Sequence, residues 1–142
     1  MKDPKQIGNL TELRCISAFY EMGYSVSIPY GENSRYDFIA DINNTLIRVQ
    51  VKTSQSKDNG KSYIFSCRSS RTNGKRTINK KYSKEEIDYF ATFINGKCYI
   101  VPVEECSTTK CIRFEQCGNN QKTNVNLEEN YRIENQLLKF NK

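Results

Sequence analysis

Tyr36-Asp37-Phe38-Ile39-Ala40-Asp41-Ile42-Asn43-Asn44-Thr45-Leu46-Ile47-Arg48-Val49-Gln50-Val51-Lys52-Thr53 consists of two β-prone runs separated by a pair of asparagines. Apolar and polar residues alternate along the second run, the pattern of a strand with one buried face. Asparagine tolerates the positive φ of a two-residue hairpin turn, so Asn43-Asn44 predicts a tight hairpin. With Ile42 opposite Thr45, paired residue numbers sum to 87. Asp37 then faces Gln50, with Cβ atoms ~5 Å apart, and Arg35 faces Lys52. Arg48, Gln50 and Lys52 share one face of their strand; Ile47, Val49 and Val51 share the other. A one-residue slip would scatter this grouping. The register therefore gathers a carboxylate, an amide and a lysine on one patch of sheet.

Upstream, Asp3-Pro4 reads as an N-cap followed by proline at the first helical position. A helix over about residues 4–22 follows, ending at Gly23, with Ile7, Leu10, Leu13, Ile16 and Tyr20 as its apolar seam. Glu12 lies one position off that seam. Tyr24 to Tyr30 reads as an edge strand ended by Pro29. Downstream, Ser62 to Ser69 reads as a fourth strand, and residues 70–84 as a polar, basic stretch without periodicity. Ser83 and Glu86 have the spacing of a capping box opening a short helix. Tyr89 to Ile94 and Lys97 to Val103 flank Asn95-Gly96, a strong hairpin signal. Cys111 to Gln116 reads as a strand and Tyr131 to Phe140 as a terminal helix.

The chain has 142 residues, room for one domain. Its core is expected at about residues 4–105, with 106–142 as a C-terminal extension. Histidine is absent, which excludes histidine bases, Ser-His and Cys-His pairs and histidine metal sites. Any catalysis must rest on carboxylates, lysine, tyrosine, cysteine or a metal held by oxygen. None of the six cysteines forms a C-x-x-C pair. Cys15 and Cys67 read as small buried residues. Cys98, Cys106, Cys111 and Cys117 crowd one segment and leave a metal or disulfide cluster open. The N-terminus has no apolar signal region and no apolar run reaches ~20 residues, so a cytoplasmic protein off the membrane is expected.

Charge is concentrated. The window from Arg48 to Lys84 holds eleven Lys or Arg and one acid, Asp58, for +10, against +6 for the whole chain. Such a face suits DNA phosphates; the plain alternative is a solvated loop. Arg48, Lys57, Arg68, Arg71, Lys75 and Arg76 are the candidate contacts. Arg68, Arg71, Asn73, Lys75 and Arg76 suit base reading from a strand or loop.

The hairpin patch suits a hard divalent cation. Asp37 offers a carboxylate and Gln50 an amide oxygen. Lys52 is placed to orient water and offset charge on a phosphoryl group. Glu12 adds an acid if its helix packs across the sheet. Each residue alone has an ordinary surface reading, although aspartate inside a strand is uncommon.

Glu12, the run Tyr30-Gly31-Glu32-Asn33-Ser34-Arg35-Tyr36-Asp37-Phe38-Ile39-Ala40-Asp41, and Arg48-Val49-Gln50-Val51-Lys52-Thr53 together resemble the PD-(D/E)XK nuclease superfamily. The resemblance covers about residues 5–105 and is nearest the group I intron-associated homing endonucleases, which carry Gln-X-Lys where Glu-X-Lys is usual. Archaeal Holliday-junction resolvases are similar around Ser34 to Asp37. The chain departs from the superfamily pattern at Tyr36, where proline is usual, and at Gln50.

The resemblance implies an α/β fold, more closely an α+β mixed sheet, with a restriction-endonuclease-like αβββαβ core, an added hairpin and a C-terminal segment. It implies Mg²⁺-dependent hydrolysis of DNA phosphodiesters, with Mn²⁺ as a substitute and no organic cofactor. Asp37 would hold metal, Glu12 would bind a second metal or support the first, and Gln50 would contact the metal or its water, with the Val51 carbonyl as a backbone ligand. Lys52 would position the water. Ser34 and Arg35 would line the site.

The leading expectation is a site-specific double-strand endonuclease of the intron-homing type. Its location would be cytoplasmic, nucleoid-associated, or organellar if intron-encoded. One active site per chain then calls for a homodimer or homotetramer, with Leu127, Tyr131, Ile133, Leu137, Leu138 and Phe140 as contact candidates. The alternatives are a junction-resolvase-like, structure-specific nuclease and a catalytically inert DNA-binding module of the same fold.

Overall fold

The structure, a computed structural model, describes residues 2–114 and 127–141, and at 71–73 and 77 the backbone only. The Asp3 carboxylate accepts from the Gln6 N–H at 2.9 Å, and the Gln6 side chain accepts from the Asp3 N–H. This capping box starts α1 (Pro4–Glu21), and Gly23, at φ +92°, closes it. The buried side of α1 is Thr11, Cys15 and Phe19, an i, i+4, i+8 stripe. Ile7, Leu13 and Tyr20 are 40%, 62% and 72% exposed, which corrects the seam read from the sequence. Phe19 decides the orientation: its ring meets Phe38 edge-on at 5.4 Å. The seam left out Thr11 and Phe19, which pack; Cys15 is buried as expected.

Strands β1 (Ser25–Ser27), β2 (Phe38–Ile42) and β3 (Thr45–Val51) are followed by β4 (Gln55–Lys57), β5 (Ser62–Ser66), β6 (Arg68–Asn73), β7 (Arg76–Lys81), β8 (Tyr89–Ile94), β9 (Lys97–Pro102) and β10 (Thr109–Arg113). The main sheet runs β1-β2-β3-β8-β9, antiparallel except where β3 meets β8 in parallel. The β2–β3 register sums to 87 from Phe38↔Val49 to Ile42↔Thr45. Asn43 and Asn44 sit at φ +52° and +73°, and the Asn44 N–H donates to Asp41. The Asn95-Gly96 hairpin forms equally.

Two expectations need correction between β3 and β8. Residues 70–84 contain most of a two-stranded antiparallel ribbon, β6–β7, turning at Gly74. The short helix expected from Ser83 is a single turn. The Glu86 and Ile87 N–H groups both donate to the Ser83 carbonyl at 3.0 Å, and the chain then passes into β8. The parallel crossover thus runs through β4 to β7 and a second sheet, β10-β5-β4, rather than through a long helix.

Both faces of the sheet are covered. Phe38, Ala40, Ile47, Val49, Tyr89, Ala91 and Ile100 pack with Cys15 and Phe19 of α1. Phe90, Ile94, Tyr99 and Val101 pack on the other side with Phe65, Tyr82, Ile87 and Ile112. The terminal segment is broken into α2 (Glu128–Tyr131), α3 (Ile133–Gln136) and a 3-10 turn, Leu137–Phe140. Arg132 interrupts it in extended conformation and bridges Tyr99 on the β9 edge. Tyr131, Ile133 and Leu137 are buried in the chain's own cores, so they are not offered to a second chain; Leu138 is exposed. The strand expected over Cys111 to Gln116 is β10, and Gln116 lies outside the described residues. No described helix is long and apolar enough to cross a membrane.

Candidate active site

At its open end the β2–β3 hairpin departs from ladder geometry. Phe38 pairs with Val49, and the Asp37 N–H also donates to the Val49 carbonyl at 2.8 Å. The Val51 N–H donates to Asp37 Oδ2 at 2.7 Å. Asp37 therefore stays beside Val51 and Gln50, its carboxylate standing where a ladder carbonyl would otherwise be. Beyond it, β3 leaves β2 and is held by β8, with the Lys52 N–H donating to the Ala91 carbonyl at 2.8 Å.

Helix α1 reaches the same end. Thr11 Oγ1 lies 3.3 Å from Thr53 Oγ1, which fixes the turn carrying Glu12 against the end of β3. The charge of Asp37 reaches Glu12 there. Burial pushes the Glu12 carboxyl up, and the charge of Asp37 pushes it further. Burial also pushes Asp37 up, against the Val51 N–H and the Lys52 charge. Among the described residues, no side chain donates to either carboxylate.

Lys52 comes from the other face of β3. Its Nζ donates to the Arg68 carbonyl at 3.0 Å and lies 5.1 Å from the centre of the Tyr82 ring. Burial lowers its pKa; the Asp37 and Cys67 charges oppose this, and Arg35 adds to it. Gln50 Nε2 donates to the Val51 carbonyl at 3.4 Å, and no described group donates to its Oε1. Two acids and a lysine thus all shift toward their neutral forms at one strand end, a pattern that marks functional sites.

The donor set fits a hard divalent cation: two carboxylates short of donors, an amide oxygen and a backbone carbonyl. Among the described residues no cluster of three or more Cys, Asp or Glu is placed to hold a metal, so the set here is mixed. Among the described residues the cysteine cluster is not formed. Cys98 packs with Cys15 on the α1 side of the sheet, Cys106 with Cys67 on the other, and Cys111 is partly exposed. Cys117 lies outside the described residues.

The candidate DNA contacts divide into two groups. Arg48 is committed within the chain: Nε lies 3.1 Å from Asp88 Oδ2, and the guanidinium also bonds the Lys84 and Glu85 carbonyls. Arg35 does not face Lys52 across the ladder. It bonds Ser69 Oγ at 2.8 Å and the Lys81 carbonyl at 3.1 Å, lies against Glu86, and stacks 3.8 Å over Tyr82. Both arginines hold the structure together rather than present free charge. Lys57, Lys75, Arg76 and Ser34 are exposed; Arg68 is half-buried, with its Nε buried and without a partner. The side chain of Arg71 lies outside what the structure describes. Tyr82, the floor under both Arg35 and Lys52, was missed in the sequence, where it is one aromatic in a basic stretch.

Comparison with known proteins places this architecture. The family profile described as PD-(D/E)XK endonuclease matches residues 2–134. The chain belongs to the PD-(D/E)XK endonuclease family. Among solved structures, the bacterial homing endonuclease I-Ssp6803I superposes with a TM-score of 0.76 at 22% identity, over 96% of this chain and 93% of its own. At that identity the match shows the fold. A search of curated proteins found no match.

Proposed function

We propose that the chain is a divalent-metal-dependent, site-specific double-strand DNA endonuclease of the homing type. The observation that carries this reading is the convergence of Glu12, Asp37 and Lys52 at the end of β3, each driven toward neutrality by burial. A cation relieves the two acids and restores charge balance. Asp37, Glu12, Gln50 and the Val51 carbonyl would hold Mg²⁺, with Mn²⁺ as substitute. Bound there, it supplies Lewis-acid polarisation of the scissile phosphate and a more acidic water.

Lys52 orients that water and faces the negative charge that grows on the phosphoryl oxygens. Tyr82 and the Arg68 carbonyl fix the ammonium's direction. The water adds to phosphorus and one P–O ester bond breaks, leaving a monoester phosphate and a hydroxyl. Asp37, anchored by the Val51 N–H, keeps the ligand set in register with the strand. Lys57, Arg68, Arg71, Lys75 and Arg76 contact phosphates flanking the cut. Each chain contributes one such site, so cutting both strands takes two chains, as a homodimer or homotetramer.

The test is cleavage of plasmid bearing host DNA in Mg²⁺, in Mn²⁺ and in EDTA, with Asp37→Ala and Lys52→Ala beside the wild type. Linear product in either metal, absent in EDTA and in both variants, is expected. Preferential cutting of four-way junctions over linear duplex would replace site-specific reading with junction resolution. DNA binding without cleavage in either metal would leave an inert DNA-binding module.

A further inference from the structure

The β6–β7 ribbon stands apart from both larger sheets as a two-stranded sheet of its own. Its root is fastened beside the candidate site: Lys52 Nζ bonds the Arg68 carbonyl, and Arg35 bonds Ser69 and the Lys81 carbonyl. Successive residues of a strand point to opposite faces. Ser69 and Lys80 are paired and share one face, which is turned to the body: Ser69 meets Arg35, and Lys80 lies 3.8 Å from Glu86. Arg68 with Lys81 and Ser70 with Asn79 are the alternate pairs and occupy the other face. Ser70, Asn79 and Lys81 are exposed, and Arg68 Nε is a buried donor without a partner.

We infer that this ribbon enters the major groove of duplex DNA beside the cut, with the face carrying Arg68, Ser70, Asn79 and Lys81 turned to the base edges and Asn79 reading an adenine. The inference rests on the endonuclease reading above. A two-stranded ribbon fits the major groove, and asparagine pairs bidentately with adenine N6 and N7. The Ser70 hydroxyl donates to Asn79 Oδ1 at 3.0 Å. That bond fixes the amide's sense: Oδ1 keeps a second lone pair for the adenine N6 amino group, and Nδ2 is directed to N7. Six residues per strand give the ribbon about 20 Å of reach, or about six base pairs from its root. The adenine therefore lies within about six base pairs of the scissile phosphate, nearer its root half.

The experiment is cleavage of a library of duplexes randomised around the wild-type cut site, in Mg²⁺, with sequencing of the products. Wild type, Asn79→Ala and Ser70→Ala are compared, and melting midpoints establish that the exposed substitutions leave the fold intact. An adenine preference of about tenfold is expected at one position within six base pairs of the cut. It falls below about threefold in Asn79→Ala and partway in Ser70→Ala, while preferences elsewhere persist. An unchanged profile in Asn79→Ala, or a loss spread evenly over the site, overturns the inference. Failure of wild type to cut any duplex overturns the endonuclease reading instead. The ribbon is then scored by selecting the same library for binding in Ca²⁺: an Asn79-dependent adenine supports it and its absence overturns it.

Discussion

Asp37 carries a tension visible in one side chain. Its carboxylate is half-buried, holds the Val51 N–H, and is nevertheless displaced upward from the ordinary aspartate range. For an acid raised on folding, ionisation opposes the folded state; that penalty is present at neutral pH and disappears as pH falls through the folded pKa. Asp37→Asn keeps an acceptor for Val51 and removes the charge. The expected result is a melting midpoint higher by about 2–4 °C in EDTA, together with a fall in cleavage of about 10²-fold or more. On the proposed metal site, Mg²⁺ is expected to raise the midpoint of wild type and to leave that of the variant unmoved. Differential scanning fluorimetry with and without metal checks all of this. The neighbourhood of Asp37, Gln50 and Lys52 was legible in the sequence because one turn sets the β2–β3 register as far as Phe38↔Val49; the break in the ladder at Asp37 was not. The positioning of Lys52 by Tyr82 and the Arg68 carbonyl was not, because those residues are brought in by a ribbon with no local tie to β3.

Among elements, the ribbon is the least legible. Its sequence is polar on both faces, so it lacks the apolar alternation that betrays a strand; only Asn73-Gly74 signals its turn. What holds it is tertiary, chiefly Arg35. Arg35→Ala is expected to free the ribbon root: trypsin cleavage between residues 75 and 81 accelerates at least tenfold while the melting midpoint moves little. Limited proteolysis followed by mass spectrometry reads this directly. Arg48→Ala acts elsewhere. It strips the turn before β8 of its bonds to Asp88 and two carbonyls, and global stability should fall by about 1–2 kcal/mol in urea titration. Helix α1 shows the opposite error: its existence and ends were read correctly, and Cys15 was read as buried, yet most of its apolar seam was not the buried side, because Thr11 gains its packing only from the sheet beneath.

Over the whole molecule, the C-terminal strap closes the β9 edge. Glu128 accepts from the Tyr99 hydroxyl at 2.8 Å and from Arg132, and the arginine foremost lowers the Glu128 pKa. A carboxyl lowered on folding stabilises above its unfolded pKa, about 4.3, and that stability is lost as pH falls through the folded value. Urea midpoints should decline below about pH 4.3 by an increment worth less than about 1 kcal/mol, and Glu128→Gln should remove that increment. The overall mixed fold was legible from two asparagine-centred hairpins and one capped helix. The crossover was not, because nothing local specifies that β3 and β8 run side by side.

That parallel pairing sets the order of events as the chain folds. The β2–β3 hairpin is a contact between near neighbours, whereas Lys52 is aligned only once Ala91 has been reached, some forty residues later in synthesis. Contacts so far apart in sequence form late. Gln50, paired with Phe90, and Lys52, bonded to Ala91, therefore both take their positions only when β8 docks on β3. On the endonuclease reading, a chain that stops short of Ala91 has the Asp37 carboxylate without a placed lysine and is expected not to cut.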